Sequence, residues 1–490
     1  MNKIVALLCM IWVAVGFSQE NQTTYKKRVL ETAEVDFLSS YYSQEGNNAS
    51  VTGGIGTEKL TDVTPTIVVS LPLNADDVLT VDAGFSAYTS ASSSNLNPFD
   101  RVKKVATTTT TVVTGASSTR TQQNTNYAYV SSPTPWAASS GASSSDVWGN
   151  VNIDYSHSSD DRNTVFSADV SVATEYDYSS FGFGGGFVKQ FNEKNTSLSI
   201  TTKVYLDTWN PRYPTELDSY YEANQNLNAG FFNNVPIYNQ EGEAIDKNDD
   251  SDVWSPFKSP FISNKSRNSY SLSFSLSQIL NKNSQFSVFF DLVQQNGWLS
   301  NPMQRVYFGD VDNFYIGNPQ YIPNYTTTKN DGVFQLADDI ERLPTKRFKL
   351  PIGFRWHYYL NEMFTVRTYY RYYWDDWGIN SHTASIELPL KVSSKFTLYP
   401  SYRYYNQTAA DYFAPYEQHV STSLFYTSDY DLSKFNANQY GIGVGYVDIL
   451  TKAHIWKLGL KSIDLKYNSY KRNTGLKANI ISAGFKFVMD

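Results

Sequence analysis

Tyr270-Ser271-Leu272-Ser273-Phe274-Ser275-Leu276-Ser277 decides the fold. Tyr270, Leu272, Phe274 and Leu276 are bulky and oily while every residue between them is serine, a period of two that puts one face of a strand in an apolar medium and the other against water. The next segment repeats the pattern: Phe286, Val288, Phe290 and Leu292 oppose Ser287 and Asp291, with Phe289 as the exception. Upstream, Leu198, Ile200, Val204 and Leu206 alternate with Ser199, Thr201, Lys203 and Asp207. Downstream, Phe348, Leu350, Ile352, Phe354 and Trp356 alternate with Lys349, Gly353, Arg355 and His357.

Soluble sandwiches and membrane barrels both alternate, and connection lengths separate them. Short polar turns recur after every second strand, at 74–77, 159–163, 192–195, 281–283, 360–362 and 392–395. At the opposite ends lie long connections rich in Ser, Thr, Asn, Asp and Pro, near 91–146, 210–263 and 298–345. Strand starts near residues 28, 62, 77, 147, 163, 180, 195, 266, 284, 346, 363, 379, 395, 435, 460 and 475 give an even count of about sixteen, as closure with both termini on one side requires. One stretch is out of phase: Leu458 and Leu460 disagree with Ile463, Leu465 and Tyr467, which a bulge or a longer turn absorbs. The expected fold is an all-β transmembrane antiparallel barrel with short periplasmic turns and three long extracellular loops.

Composition agrees. The 490 residues include 37 Tyr, 29 Phe and 10 Trp with only 18% charged residues, yet mean hydropathy is −0.41. Beyond the N-terminus no apolar run reaches the about eighteen residues a membrane helix needs. Net charge is −7, from 40 basic and 47 acidic side chains, so there is no basic footprint for nucleic acid and none is expected as a partner. Lys3, the apolar stretch Ile4 to Phe17 and Gly16-Phe17-Ser18 read as a signal peptide over 1–18, leaving 19–490 as the barrel. Cleavage after Ser18 removes Cys9, the single cysteine. Export to the outer membrane follows, with outer-membrane lipids and the barrel-assembly machinery as expected partners.

Aromatic residues gather where strands should leave the hydrocarbon: Tyr41, Tyr42, Tyr88, Trp148, Tyr176, Trp209, Trp298, Trp374, Trp377, Tyr404 and Tyr405 all fall at the long-loop end. If the oily faces meet lipid, the alternate residues line the interior. Arg347, Lys349, Arg355, Arg367, Arg371, Lys391 and Arg403 then form a basic wall, with Glu387 its main acid, and Asp169, Glu175, Asp207 and Asp291 face inward elsewhere beside Lys203. Such a wall would set a transverse field that selects solutes. Internal ion pairing that fills a closed lumen is an equal alternative.

Chemistry of other kinds finds little support. Asp246, Asn248, Asp250 and Asp252 place oxygen ligands at alternate positions, a partial match to a calcium loop, but Ser251 stands at the turn glycine and Phe257 where a bidentate glutamate belongs. A solvated acidic loop fits better, and no cofactor is expected. An enzyme would need facing nucleophile and base, whereas Ser381 and His382 are neighbours on one strand and point apart. The other histidines, His157, His357, His419 and His454, sit in no catalytic motif, so an enzyme is not expected.

Three stretches are more specific: Asn301-Pro302-Met303-Gln304-Arg305-Val306-Tyr307, then Glu341-Arg342-Leu343-Pro344, then Arg371 to Ile379 with His382-Thr383. They resemble an outer-membrane β-barrel family frequent in Bacteroidota, domain of unknown function 3570, over most of the mature chain. The resemblance implies a barrel in the outer membrane and no established activity. It also implies a periplasmic or lipid-anchored partner, one concerned with electron transfer, although the sequence has no CxxCH for haem. Arg342, Arg371, Asp375, Asp376 and His382 cluster near the long-loop end, either as a mouth constriction or partner surface, or as pairs that lock a loop against the wall. The expected function is a pore for small hydrophilic solutes; the alternative is a non-conducting scaffold for a partner.

Overall fold

The computed structural model describes residues 28–90, 102–115, 118–131, 145–210, 213–249, 253–256, 264–326, 333–448 and 450–489. The signal-peptide segment 1–18 lies outside the described residues. Sixteen staves follow one another around a ring: β1 Glu34–Glu45, β2 Leu60–Pro72, β3 Asp77–Ser90, β4 Ser145–Ser158, β5 Thr164–Thr174, β6 Tyr178–Phe191, β7 Thr196–Trp209 and β8 Lys265–Asn281. Then come β9 Ser284–Gly297, β10 Lys346–Tyr359, β11 Thr365–Asp375, β12 Asn380–Glu387 with Leu390–Lys391, β13 Phe396–Leu398 with Ser401–Gln407, β14 Phe435–Val447, β15 Leu458–Arg472 and β16 Lys477–Met489. Every neighbour pair is antiparallel, and β1 pairs with β16 from Glu34↔Val488 to Glu45↔Lys477, so the sheet closes and leaves no edge.

The interruptions in β12 and β13 lie at Pro389 and Pro400, residues with no N–H to give a ladder. The out-of-phase stretch resolves as expected, by a register shift between Leu460 and Ser462 and by a longer turn carrying the small His454–Ile455 pairing. The connection after β3 holds a hairpin of its own, Val102–Gly115 against Ser118–Ser131, where sequence reading expects only loop. A further long connection, 408–434, joins the expected ones at the extracellular end.

The distribution of burial is inside out. Phe181, Phe183, Phe166, Val170, Ile352, Phe354, Ile442 and Leu465 stand exposed on the outer face of the wall. A soluble protein rarely exposes so large a contiguous oily band, and hydrocarbon is the medium that removes its cost. The buried apolar residues lie instead mostly in the loops. The described residues of 210–264 and 298–345, with 408–434, fold together into a cap whose core includes Phe232, Ile237, Trp254, Ile316, Phe334 and Leu336. A second cluster, Tyr213, Leu217, Ala337 and Ile340, packs a short helix, α1 Thr215–Glu222, onto it. The Trp254 indole N–H donates to the Ala337 carbonyl at 3.0 Å, which joins two of the loops.

Several of the expected girdle aromatics need correction. Tyr42, Tyr88, Trp148 and Tyr405 share the lumen phase of their strands, as their partners Asp62, Ser86 and Thr383 show. Trp209 shares the lumen phase of Lys203 and Asp207, its indole N–H donating to Asp177 at 3.2 Å, and Trp298 packs against the cap cluster of Tyr213 and Leu217. Trp377 is 3% exposed, tucked under the loops. Being near a strand end does not fix which face a side chain takes; register does.

Candidate functional site

The ladder assigns every inward residue. Arg347, Lys349, Arg355 and His357 of β10 share a face with Arg367, Arg371 and Asp375 of β11, because Lys349 pairs with Asp375, Gly353 with Arg371 and His357 with Arg367. Glu387 lies opposite Arg367, and Arg403 opposite Ser385. Lys391 takes the same phase at the periplasmic end of β12. Half a ring away, β1 to β5 contribute Glu34, Asp36, Asp62, Asp82, Asp154 and Asp169 on their inner phase. The first five of these acids are not among the inward residues that the sequence pattern identifies. Their signal was present in the even-numbered alternation of Glu34, Asp36, Asp62 and Asp82, but the first strands lack the serine-oily contrast that fixes phase elsewhere.

Many of the inner charges are paired. Lys203 meets Asp169 at 3.2 Å, Arg367 meets Glu387 at 2.9 Å, and Lys466 meets Glu387 at 3.4 Å. At the seam, Lys486 bridges Glu34 at 2.6 Å and Asp36 at 3.5 Å, tying the last strand to the first. Lys349, Arg355, Arg371 and Arg403 differ. Among the described residues none of the four has a carboxylate within ion-pair distance, and Arg371 Nε and its cross-strand neighbour Thr383 Oγ1 are buried without a hydrogen-bond partner. Arg355 lies over the rings of Phe289, at 4.9 Å, and Tyr369, at 5.6 Å.

Phe289 broke the alternation in sequence, and the wall explains it. Its ring lies flat on Gly353 of the next strand, in the space a Cβ would fill, and stacks on Tyr369 with centroids 6.1 Å apart. A bulky side chain is thereby held against the wall and out of the lumen. Gly353→Val is expected to evict the ring, costing about 1–3 kcal/mol by overpacking. A lowered midpoint of the heat-induced mobility shift on gels checks it; an unchanged midpoint would show that the glycine is no seat.

The five residues expected at the mouth do not form one cluster. Asp375 is fully enclosed: it accepts Arg347 Nε at 3.0 Å and Nη2 at 2.5 Å, the Tyr373 hydroxyl at 2.7 Å, and the N–H groups of Trp377 and Ile379, both at 3.0 Å. Arg347 also stacks over Trp377 at 4.3 Å, so this constellation clamps the tight turn after β11. Asp376 accepts the Phe348 N–H at 2.9 Å. Arg342 sits in the cap, 3.0 Å from Asp339. Arg371 faces the lumen, whereas His382 faces outward, its Nδ1 2.7 Å from the Tyr370 hydroxyl. The single-residue offset between Thr383 and His382 sends them to opposite sides of the wall.

In the acidic loop, Asp250 and Asp252 lie outside the described residues. Asp246 already accepts the Asn248 N–H at 3.0 Å as an Asx turn. Among the described residues no group of three or more His, Cys, Asp or Glu is placed to hold a metal ion.

The cap is locked by charge. Arg305 is 1% exposed and grips Glu216 of α1 through Nε–Oε1 at 2.5 Å and Nη2–Oε2 at 2.9 Å, with Nη1 donating to the Val51 carbonyl at 2.7 Å. Three extracellular connections meet at that one guanidinium. Glu341 accepts the Asn301 N–H at 2.8 Å and the Thr427 hydroxyl, and its own N–H donates to the Gln304 carbonyl at 2.9 Å. Burial first, then the Asp429 charge, pushes the Glu341 carboxyl up to about 8. Burial does the same to Asp338, also to about 8, although the Phe308 N–H it accepts at 2.7 Å pulls the other way. Arg472 on the lumen side of β15 reaches up to Asp431 and fastens the cap to the wall.

Two of the specific stretches of sequence therefore meet in space: 301–307 and 341–344 are cap strands and turns, joined by the Glu341 N–H that donates to the Gln304 carbonyl at 2.9 Å. A family model described as "Protein of unknown function (DUF3570)" matches residues 5–480. The chain belongs to that family. Among curated proteins none matches. The chain is similar to solved structures that include Pseudomonas aeruginosa OprD (9% identity, covering 96% of this chain and 99% of that one, TM-score 0.34). The Pseudomonas putida toluene transporter TodX is another (8%, 94% and 90%, TM-score 0.36), as is a bacterial polysaccharide outer membrane secretin (9%, 94% and 100%, TM-score 0.38). In this DUF3570 protein the barrel assignment rests on its own closed ladder.

Proposed function

We propose that this protein is an outer-membrane channel for small hydrophilic solutes, with anions favoured and the loop cap acting as its outer gate. The observation that carries the reading is the set of inward cations without carboxylate partners, Lys349, Arg355, Arg371 and Arg403, facing an acidic arc half a ring away. A lumen that served only as filling would neutralise its charges in pairs, because an unpaired charge out of water is costly. Cations left open lower the entry barrier for anions and define a path along one wall.

Reconstitution in a planar bilayer with a salt gradient tests it. The expected reversal potential is that of an anion-selective pore, and the double variant Arg371→Gln/Arg403→Gln should move it toward the non-selective value. Cation selectivity, or selectivity indifferent to these two residues, would sink the reading. The cap's own buried core favours a second one, a non-conducting scaffold that holds an extracytoplasmic partner. That barrel would be silent both with its cap intact and with its cap loosened.

A further inference from the structure

On the outer wall, directly above the oily band, one sector is polar. Tyr372 of β11, His382 of β12, Asn406 of β13 and Asn436 of β14 are successive cross-strand partners, so they form a single row facing away from the lumen. His382, Asn406 and Asn436 of this row, with Asn380, Tyr404 and Lys434, line a groove of about 410 Å³. Its hydrogen-bonding capacity is partly unused: His382 has only its Nδ1 engaged, by Tyr370, while Asn406 and Lys434 have no side-chain partner among the described residues. Past Asn438, toward the periplasm, the same outer face of β14 becomes apolar, with Tyr440 63%, Ile442 55% and Val444 39% exposed.

We propose that this groove binds the headgroup of an outer-leaflet glycolipid, a phosphorylated sugar with acyl chains. Each part of the site matches one part of such a molecule. Amides and a tyrosine ring suit sugar hydroxyls and the face of a pyranose, since amides both donate and accept. The Lys434 ammonium suits a phosphate as a point charge. The apolar strip below suits acyl chains, and its position fixes the source: a ligand seated in the groove stands at the boundary of hydrocarbon and headgroup, where a soluble sugar phosphate would leave the strip uncovered. The barrel wall faces lipid here whatever crosses the lumen. The proposal rests on the outer-membrane placement above and not on conduction.

The test uses the full protein in phosphatidylcholine nanodiscs, titrated with lipid A and read by native mass spectrometry. One lipid A per barrel is expected to bind saturably, about tenfold tighter than phosphatidylglycerol, which carries the charge and the chains without the sugar. Lys434→Met and Asn406→Leu should each weaken it about tenfold, whereas Lys434→Arg should retain it. Glucosamine 1-phosphate, the headgroup chemistry without chains, should bind about tenfold or more weakly. Both positions are on the outer surface, and the heat-induced mobility shift confirms that the variants fold. The proposal is overturned by any of four results: no saturable binding, equal affinity for phosphatidylglycerol, indifference to both substitutions, or a soluble sugar phosphate that binds as tightly as lipid A. Cell fractionation tests the membrane placement separately, and bilayer current tests the lumen, so a silent channel or a misplaced protein is told apart from an unoccupied groove.

Discussion

Replacing Arg305 by methionine should unfold the extracellular cap while the barrel stays closed. The guanidinium is fully buried, and Glu216 opposite it is 0% exposed, so neither charge has water to fall back on. Removing one partner of such a pair leaves the other charge buried and uncompensated, at a cost of about 3–5 kcal/mol. The cap is the part least able to absorb that loss. Its core is small and its segments are tied to the wall at few points besides their ends, Arg472–Asp431 among them, whereas each barrel strand is hydrogen-bonded on both sides. Arg305 also donates to Val51 in the first extracellular connection, so three loops lose a common anchor. Limited proteolysis should cut the variant within 210–264 and 298–345, with the heat-induced mobility shift of the barrel preserved. The double variant Arg305→Met/Glu216→Leu should recover much of the protection, because it removes the stranded charge as well. In bilayers the single variant should conduct more than wild type if the cap is a gate. A cleavage pattern identical to wild type would rule out the ion pair as the lock.

Alkaline pH should loosen the same cap. Glu341 and Asp338 have carboxyls pushed up to about 8 by burial, and Glu58, where burial and the Asp431 charge act together, rises to about 7. Burial and the neighbouring Asp431 also raise Asp429. The ordinary values of these groups are 4.5 for glutamate and 3.8 for aspartate. A carboxyl whose folded-state value lies above its unfolded value binds its proton more tightly when folded. Its contribution to cap stability is therefore complete below about pH 4 and is lost as pH climbs through about 8. The charges around them do not reverse that sign: Glu341 faces Asp429 as well as the more distant Arg267, and Asp338 faces Glu417, Asp339 and Asp310. Protease resistance of the loops should fall between about pH 5 and pH 8, and Glu341→Gln should flatten the slope by keeping the hydrogen bonds without the titration. Resistance independent of pH across that range would contradict the assignment.

Much of the wall was legible because a strand's side-chain period is two, and a lipid-facing wall shows that period without distraction. Serines opposite Tyr270, Leu272, Phe274 and Leu276 leave no ambiguity of phase, and the turn signals bracket them. The expected strand starts fall close to those found for most staves, and even the slip before Ile463 resolves by a shift at Leu460/Ser462. The candidate site was legible only in part. Arg347 to Arg403 could be assigned to one face because β10 to β13 alternate cleanly, but Asp62 or Asp82 could not be set against them until closure brought β1 beside β16. Proximity in sequence groups His382 with Arg371, whereas the register sends it to the opposite side of the wall.

The sequence by itself determined that this chain is a barrel, which residues alternate and which connections are long, since those properties are local and are set by period and turn chemistry. Only the tertiary structure decided that loops far apart in sequence share one core, that Arg305 and Glu216 lock it, and that Phe289 lies on Gly353. Such pairings join residues whose separation along the chain carries no period. They exist only once a closed ring has brought the ends of distant strands into the same few ångströms.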